Sequence, residues 1–319
     1  MPKRQWFAVA ACLAVGVGPG FANGPSVNQF DVKNLDIEQG EFEIEDQSDW
    51  SVGRPARKFF DDGTGPQFDD NEINRQRHSL EASWSLTDWF KISAGVEFEE
   101  GWIDDPADFA TATSFQSLKA TEIQFEGVVV VVPVKDNGIG LGGFFELQIP
   151  RGGQNSNTFS FGPIVEAKSG AWTATGNLSF VKFIGGARDA DSGLRDEKWD
   201  LAYFTQLKYG VSKSLEFAVE AYGTFDRLGD SGNQSEAAQN IGDLDQHRIG
   251  PVVYYTFSPN GHSTMAHGIA KAGKGDDDKP GAKGKDDDGG AVTVGLGYLF
   301  GLNDNTPDGT VKLGVEAEF

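Results

Sequence analysis

At the C-terminal end of the chain, apolar and polar residues alternate at every step. Val311, Leu313, Val315, Ala317 and Phe319 fall on one face, and Lys312, Gly314, Glu316 and Glu318 on the other. Successive side chains of a β-strand point to opposite faces, so this is a strand with one apolar side. The same alternation sets Val292, Val294, Leu296, Tyr298 and Phe300 against Thr293, Gly295 and Gly297. It sets Leu215, Phe217, Val219 and Ala221 against Glu216, Ala218, Glu220 and Tyr222, and Phe90, Ile92, Ala94, Val96 and Phe98 against Lys91, Ser93, Gly95, Glu97 and Glu99. No long helical period appears after the first residues of the chain.

Strands are predicted at 35–45, 73–85, 89–100, 117–134, 139–149, 156–168, 171–184, 197–209, 215–226, 246–258, 291–301 and 310–319, an even number. The implied fold class is all-β: a transmembrane antiparallel up-and-down β-barrel of about twelve strands. The connections alternate in length. Leu86-Thr87-Asp88, 135–138, Lys168-Ser169-Gly170 and 210–214 are tight turns, and between them lie polar loops at 46–72, 101–116, 185–196 and 227–245. Barrels of the outer membrane have short periplasmic turns and long outer loops, with the termini on the short-turn side. A soluble secreted β-sandwich, the rival fold, has no reason to segregate its loops in this way.

Two features break the pattern. The connection from Pro259 to Gly290 is long where a short turn is expected, and 273–290 is a Gly, Lys and Asp low-complexity run. It is predicted to be a disordered periplasmic insertion, because it has too little apolar surface to repay ordering. The alternation also shifts at Gly40, from Leu35 and Ile37 to Phe42 and Ile44. This reads as a β-bulge in the first strand, one that would aim the preceding segment inward as a plug.

Lys3 and Arg4 precede an apolar run from Trp6 to Val17, followed by Gly20, Phe21 and Ala22. This has the form of a cleaved secretory signal peptide over 1–22, leaving 23–319 as the barrel. The run is too short to cross a bilayer as a helix, and Cys12 follows the charges too closely for a lipoprotein signal. Cys12 is the only cysteine, so the exported chain is expected to hold no disulfide and no thiolate metal site. The longest later apolar run, Gly127 to Val134, excludes a helical membrane protein but not a barrel. Trp84, Trp89, Trp102, Trp172, Trp199, Tyr203, Tyr209 and Phe319 gather towards strand ends, as an interfacial aromatic girdle would.

The formal net charge of −21 makes nucleic acid an unsuitable partner. Much of that charge falls on the non-lipid faces of the strands. The lumen-lining candidates are Glu81, Lys91, Glu97, Glu99, Glu122, Glu126, Glu146, Glu166, Lys208, Glu216, Glu220 and Arg248, with Asp36, Glu38, Glu41, Glu43, Glu45, Lys198, Asp200 and Glu316 beside them. If water fills the lumen, these carboxylates concentrate cations and repel anions. Replacing Glu97 and Glu122 by Gln is then expected to weaken cation preference. Alternatively Lys91, Lys198, Lys208 and Arg248 tie the carboxylates into a salt-bridged filling. Twelve strands lie between the filled and open regimes, so both readings stand.

Catalytic chemistry finds little support. The Ser and His candidates are His78-Ser79, His247, His262-Ser263 and His267, and no rigid element sets a nucleophile against a base. The chain is therefore expected not to be an enzyme. Asp276, Asp278, Gly281 and Asp287 only faintly resemble a calcium loop, and Gly138 to Gly143 make no phosphate loop because no helix follows. No cofactor and no metal is expected.

Several stretches do resemble a known family: Trp84-Ser-Leu-Thr-Asp-Trp-Phe-Lys-Ile-Ser-Ala-Gly-Val-Glu-Phe, Tyr209-Gly-Val-Ser-Lys-Ser-Leu-Glu-Phe-Ala-Val-Glu, His247-Arg-Ile-Gly-Pro-Val, Leu299-Phe-Gly-Leu-Asn-Asp-Asn-Thr-Pro-Asp-Gly and the Gly-Glu-Phe-Glu-Ile-Glu at 40–45. They are similar to outer-membrane channels associated with the meta-cleavage pathway of phenol degradation. The resemblance implies passive uptake of small, aromatic molecules, while the 273–290 insertion departs from the family pattern. The expected partners are outer-membrane lipid and lipopolysaccharide, the barrel-assembly machinery through the C-terminal strand and Phe319, and small solutes. A closed structural or binding barrel is the alternative function.

Overall fold

The computed structural model describes residues 30–52, 59–61, 66–68, 76–99, 119–151, 156–186, 195, 197–228, 231–232, 245–257, 290–303 and 306–319. The predicted signal peptide, residues 273–289 of the predicted insertion, and most of the longer loops lie outside these residues.

Among the described residues fourteen strands follow in chain order: β1 (Phe42–Val52), β2 (Phe59–Asp61), β3 (Pro66–Phe68), β4 (Gln76–Thr87), β5 (Phe90–Glu99), β6 (Lys119–Val132), β7 (Asn137–Pro150), β8 (Ser156–Ser169), β9 (Trp172–Gly185), β10 (Trp199–Gly210), β11 (Leu215–Phe225), β12 (Gln246–Phe257), β13 (Ala291–Gly301) and β14 (Gly309–Glu318). β2 and β3 form a separate two-stranded sheet, and the other twelve close into one barrel. Each barrel strand pairs antiparallel with its neighbours, and the ring is completed where β1 pairs with both β4 and β14. Closure leaves no unpaired sheet edge, the condition a sheet must meet in hydrocarbon.

The side-chain pattern is that of a soluble protein turned inside out. Leu80, Phe125, Phe145, Val165, Leu207, Phe217, Val219, Val253, Leu296 and Phe300 are exposed on the outer wall. The residues alternating with them include Glu97, Gln124, Glu146, Gln148, Glu166, Asp200, Glu220 and Lys312, all buried inside. The short connections are Asp88–Trp89, 133–136, Gly170–Ala171 and 211–214, within a residue or two of the predicted turns. They share one rim with Phe319, whose backbone exchanges hydrogen bonds of 3.3 and 2.9 Å with Phe42. The two rings meet at 6.3 Å, so the last residue staples the first barrel strand at the closing seam.

The first strand differs from expectation. It begins at Phe42 rather than 35 and continues through 46–52, which the sequence had assigned to a loop. Gly40 is not a bulge: it sits in a turn with φ +94°, a left-handed conformation that favours glycine, and its N–H donates to Ser85 O at 2.8 Å. True register shifts fall at Ser85/Thr87, Glu97/Phe98 and Val130/Val132. Residues 30–39, the described part of the chain ahead of Gly40, join no sheet.

Candidate functional site: the lumen and its plug

Residues 30–39 run extended through the lumen towards the short-turn rim. Their backbone groups bond to wall side chains instead of a neighbouring strand. Asn177 on β9 brackets Lys33, its Oδ1 accepting from Lys33 N and its Nδ2 donating to Lys33 O, both at 2.8 Å. Leu35 N donates to Glu166 Oε2 at 3.0 Å, and Tyr222 Oη lies 3.1 Å from Phe30 O. At the rim, Gln39 N donates to Asp88 Oδ1 at 3.0 Å.

Two apolar side chains anchor the segment on different walls. Leu35 packs into Val128, Val130, Phe144 and Ile164, inward residues of β6, β7 and β8. The space it fills exists because β7 carries glycines: a Cβ on Gly142 would collide with Leu35 Cδ2. Phe30 packs with Ala202, Phe204, Tyr222 and Leu299 on β10, β11 and β13, and the Arg248 guanidinium lies 5.2 Å from its ring. Between them the buried Lys33 ammonium pairs with Glu126. Burial works against that charge, but Glu126, Glu146, Asp31 and Glu81 outweigh it and hold Lys33 well above the usual lysine range. Lys168 adds a tie to Asp36 at 3.1 Å and to Glu166 at 3.2 Å.

The twelve charged positions expected to line the lumen fall on the inward side of their strands, whereas Asp36 and Glu38, expected on the wall of the first strand, lie on the segment 30–39 instead; Lys33, Arg77, Lys168 and Lys312 stand among them as four further cations. Lys91 meets Glu43 at 3.0 Å and Lys208 meets Glu216 at 3.5 Å. Glu220 accepts from Lys312 Nζ at 2.8 Å, Tyr222 Oη at 2.5 Å and Gln206 Nε2 at 2.6 Å, and also from Tyr254. Towards the loop end Arg77 pairs with Glu97 and, at 2.6 Å, with Glu99. Lys198, just ahead of β10, bridges Asp200 at 3.2 Å and Asp226. Burial opposes its charge too, yet those two carboxylates keep its ammonium above the ordinary value. Arg248 donates through Nε to Thr310 at 3.2 Å and through Nη2 to Gln246 at 2.8 Å. The wall is therefore a mosaic of ion pairs.

A cavity of about 170 Å³ lies between the plug and the short-turn rim, lined by Glu43, Glu45, Glu81, Glu126, Glu216, Glu316 and Glu318 against Lys33, Lys91, Lys208 and Lys312. It has room for ordered water or a small solute.

The serine and histidine candidates separate. His78 and Ser79 point to opposite faces of β4, where Ser79 Oγ accepts from Gln124 Nε2 at 3.2 Å inside and His78 lies outside. His78 instead meets Ser48 of β1 at 2.5 Å, a pairing hidden from the sequence because 46–52 had been assigned to a loop. His247 stacks on Tyr203 with ring centres 5.8 Å apart. His262, Ser263 and His267, with Asp276, Asp278, Gly281 and Asp287, lie outside the described residues.

No family model matches the chain, and no curated protein matches it. Among solved structures, an outer-membrane channel from Pseudomonas putida F1 is 12% identical over 90% of this chain and 99% of that one, with a TM-score of 0.47. The NanC porin is 8% identical over 86% and 98%, at 0.46. The KdgM porin is 10% identical over 87% and 98%, at 0.41. At such distances the architecture assigned here rests on this chain's own strand order and register.

Proposed function

We propose that the protein is an outer-membrane channel whose conduction path is the acidic lumen and whose closed state is set by its own segment 30–39. The carrying observation is the inside-out wall: a closed sheet with an apolar exterior suits lipid and lipopolysaccharide, and a polar interior suits water. The plug is held by contacts that can be released one by one, without breaking a strand pair. The carboxylates lining the cavity beneath it favour cations or neutral solutes over anions. For the cargo, support comes from the sequence resemblance described above, which points to small aromatic molecules. The C-terminal strand ending in Phe319 is the element that the barrel-assembly machinery would engage.

The test is single-channel current in planar bilayers under a salt gradient, comparing the chain from Asn23 with a variant starting at Gln39. The expected result is rare, brief conductance from the first and sustained, cation-selective steps from the second. The buried ion pairs favour a second reading, a closed structural or binding barrel. A truncated barrel that is folded yet silent would establish that reading instead.

A further inference from the structure

The ion pair at the middle of the plug has the make-up of a ligand site. The Lys33 ammonium bonds to Glu126 of β6, and Glu146 of β7 and Glu81 of β4 lie within range of the same charge. Asp31 of the plug stands 3.7 Å from it, and the centre of the Phe144 ring 5.4 Å. Lys33, Glu126 and Glu146 are all buried. Carboxylates set around a cation with an aromatic face beside them form a cage for an organic ammonium. Here the cage is filled by one.

Beside the cradle runs a row of carboxylates that calls for a second positive charge. Glu316 of β14, Glu45 of β1 and Glu81 of β4 are direct cross-strand partners on the lumen face. Like charges directly opposite each other weaken strand pairing, yet among the described residues none of the three stands in an ion pair. Glu45 accepts from Gln47 Nε2 at 3.3 Å and Glu81 from Gln124 Nε2 at 3.0 Å, both neutral amides. The row, Lys33 and Glu126 all line the cavity beneath the plug. Glu41 and Glu318, next to the Phe42–Phe319 seam, line it too, so a solute at the short-turn rim has a path to the cradle.

Among the described residues Lys33 is the one cation in ion-pair contact with Glu126. When the plug withdraws, buried carboxylates are left facing one another, and a buried pair that loses one partner is strongly destabilised. A cation in the cradle therefore stabilises the open state more than the shut one, the difference a ligand needs to shift the equilibrium. The Lys33 side chain is a four-carbon stem ending in an ammonium. A linear diamine repeats that stem and offers its second ammonium to the row of Glu81, Glu45 and Glu316. We propose that the cradle of Glu126, Glu146 and Glu81 binds the primary ammonium of a linear diamine, which opens the channel by taking the place of Lys33. This rests on segment 30–39 being the closed state.

The test uses the full exported chain refolded in detergent, with binding of 1,4-diaminobutane read by calorimetry and folding of each variant verified by heat-modifiable migration. Lys33→Ala, which alters no strand, empties the cradle and should tighten binding roughly tenfold or more. Adding Glu126→Gln should undo that gain, and adding Glu146→Gln gives the same reading if the first pair does not fold. The analogue with both nitrogens fully methylated keeps the charge but has no N–H to donate, and should bind roughly tenfold more weakly. Equal affinity for Lys33→Ala and the unmodified chain, or for the methylated analogue, means that only the general charge of the lumen is sensed and overturns the cradle. In bilayers, 1,4-diaminobutane on the short-turn side should make openings of the unmodified chain more frequent and leave those of Lys33→Ala unchanged. Openings of the unmodified chain that ignore the bound diamine overturn its link to the plug. A barrel that binds the diamine but conducts in no form, the truncated one included, keeps the cradle and discards the channel.

Discussion

Leu35 and Lys33 do most to seat the plug, and each contributes by a different mechanism. Leu35 is 3% exposed in its apolar hollow, so Leu35→Ala removes burial and leaves a void worth about 2–5 kcal/mol. Even the lower figure favours the displaced state by roughly thirtyfold. More frequent openings in the bilayer, with unchanged barrel melting, are the expected readout. Lys33 acts through charge, and its raised pKa fixes the sign of its pH dependence. Its contribution is complete below the unfolded lysine value of about 10.4 and fades only as pH climbs through the higher folded value. Conductance of the full chain should therefore not rise between about pH 7 and pH 10. The sequence marked Leu35 through its alternation with Ile37. It could not show that the partner of that alternation is a lumen wall, because an extended segment packed inside a barrel has the same period as a strand within it.

Among the elements, β1 carries the most information and was the least legible. Its true start is set by the turn at Gly40, and its outward row of Asp46 and Ser48 lacks the apolar residues that mark the other strands. A polar outward row looks like a loop to any reading based on hydrophobic alternation, and this concealed the Ser48–His78 pair. The remaining barrel strands were placed to within about three residues at each end, as expected for boundaries. β14 was the clearest of them, and its seam with β1 gives a direct test. Deleting Phe319 removes both backbone bonds to Phe42 and the ring contact, so refolding into the heat-modifiable form should slow, with conductance per folded barrel unchanged. Equal refolding rates would show that the seam closes without this staple.

For the whole molecule, strand number and the short-turn rim followed from period and loop length, which are local properties. How much of the lumen is filled did not follow, since it depends on which side chains meet across a width that no local pattern records. Lys312 stood on the polar face of its strand in the sequence, but its bond to Glu220 appears only once the barrel is closed. The attachment of the plug also gives the molecule a direction. The segment joins the barrel through Gln39 and Gly40 at the short-turn rim, so a released plug hangs from that rim. In the proposed orientation the slack chain trails into the periplasm and never reaches the cell exterior. A protease on the outside would meet the same surface whether the channel is open or shut. One on the inside would find new cleavage sites only when it is open, making opening an event that the cell can sense from within.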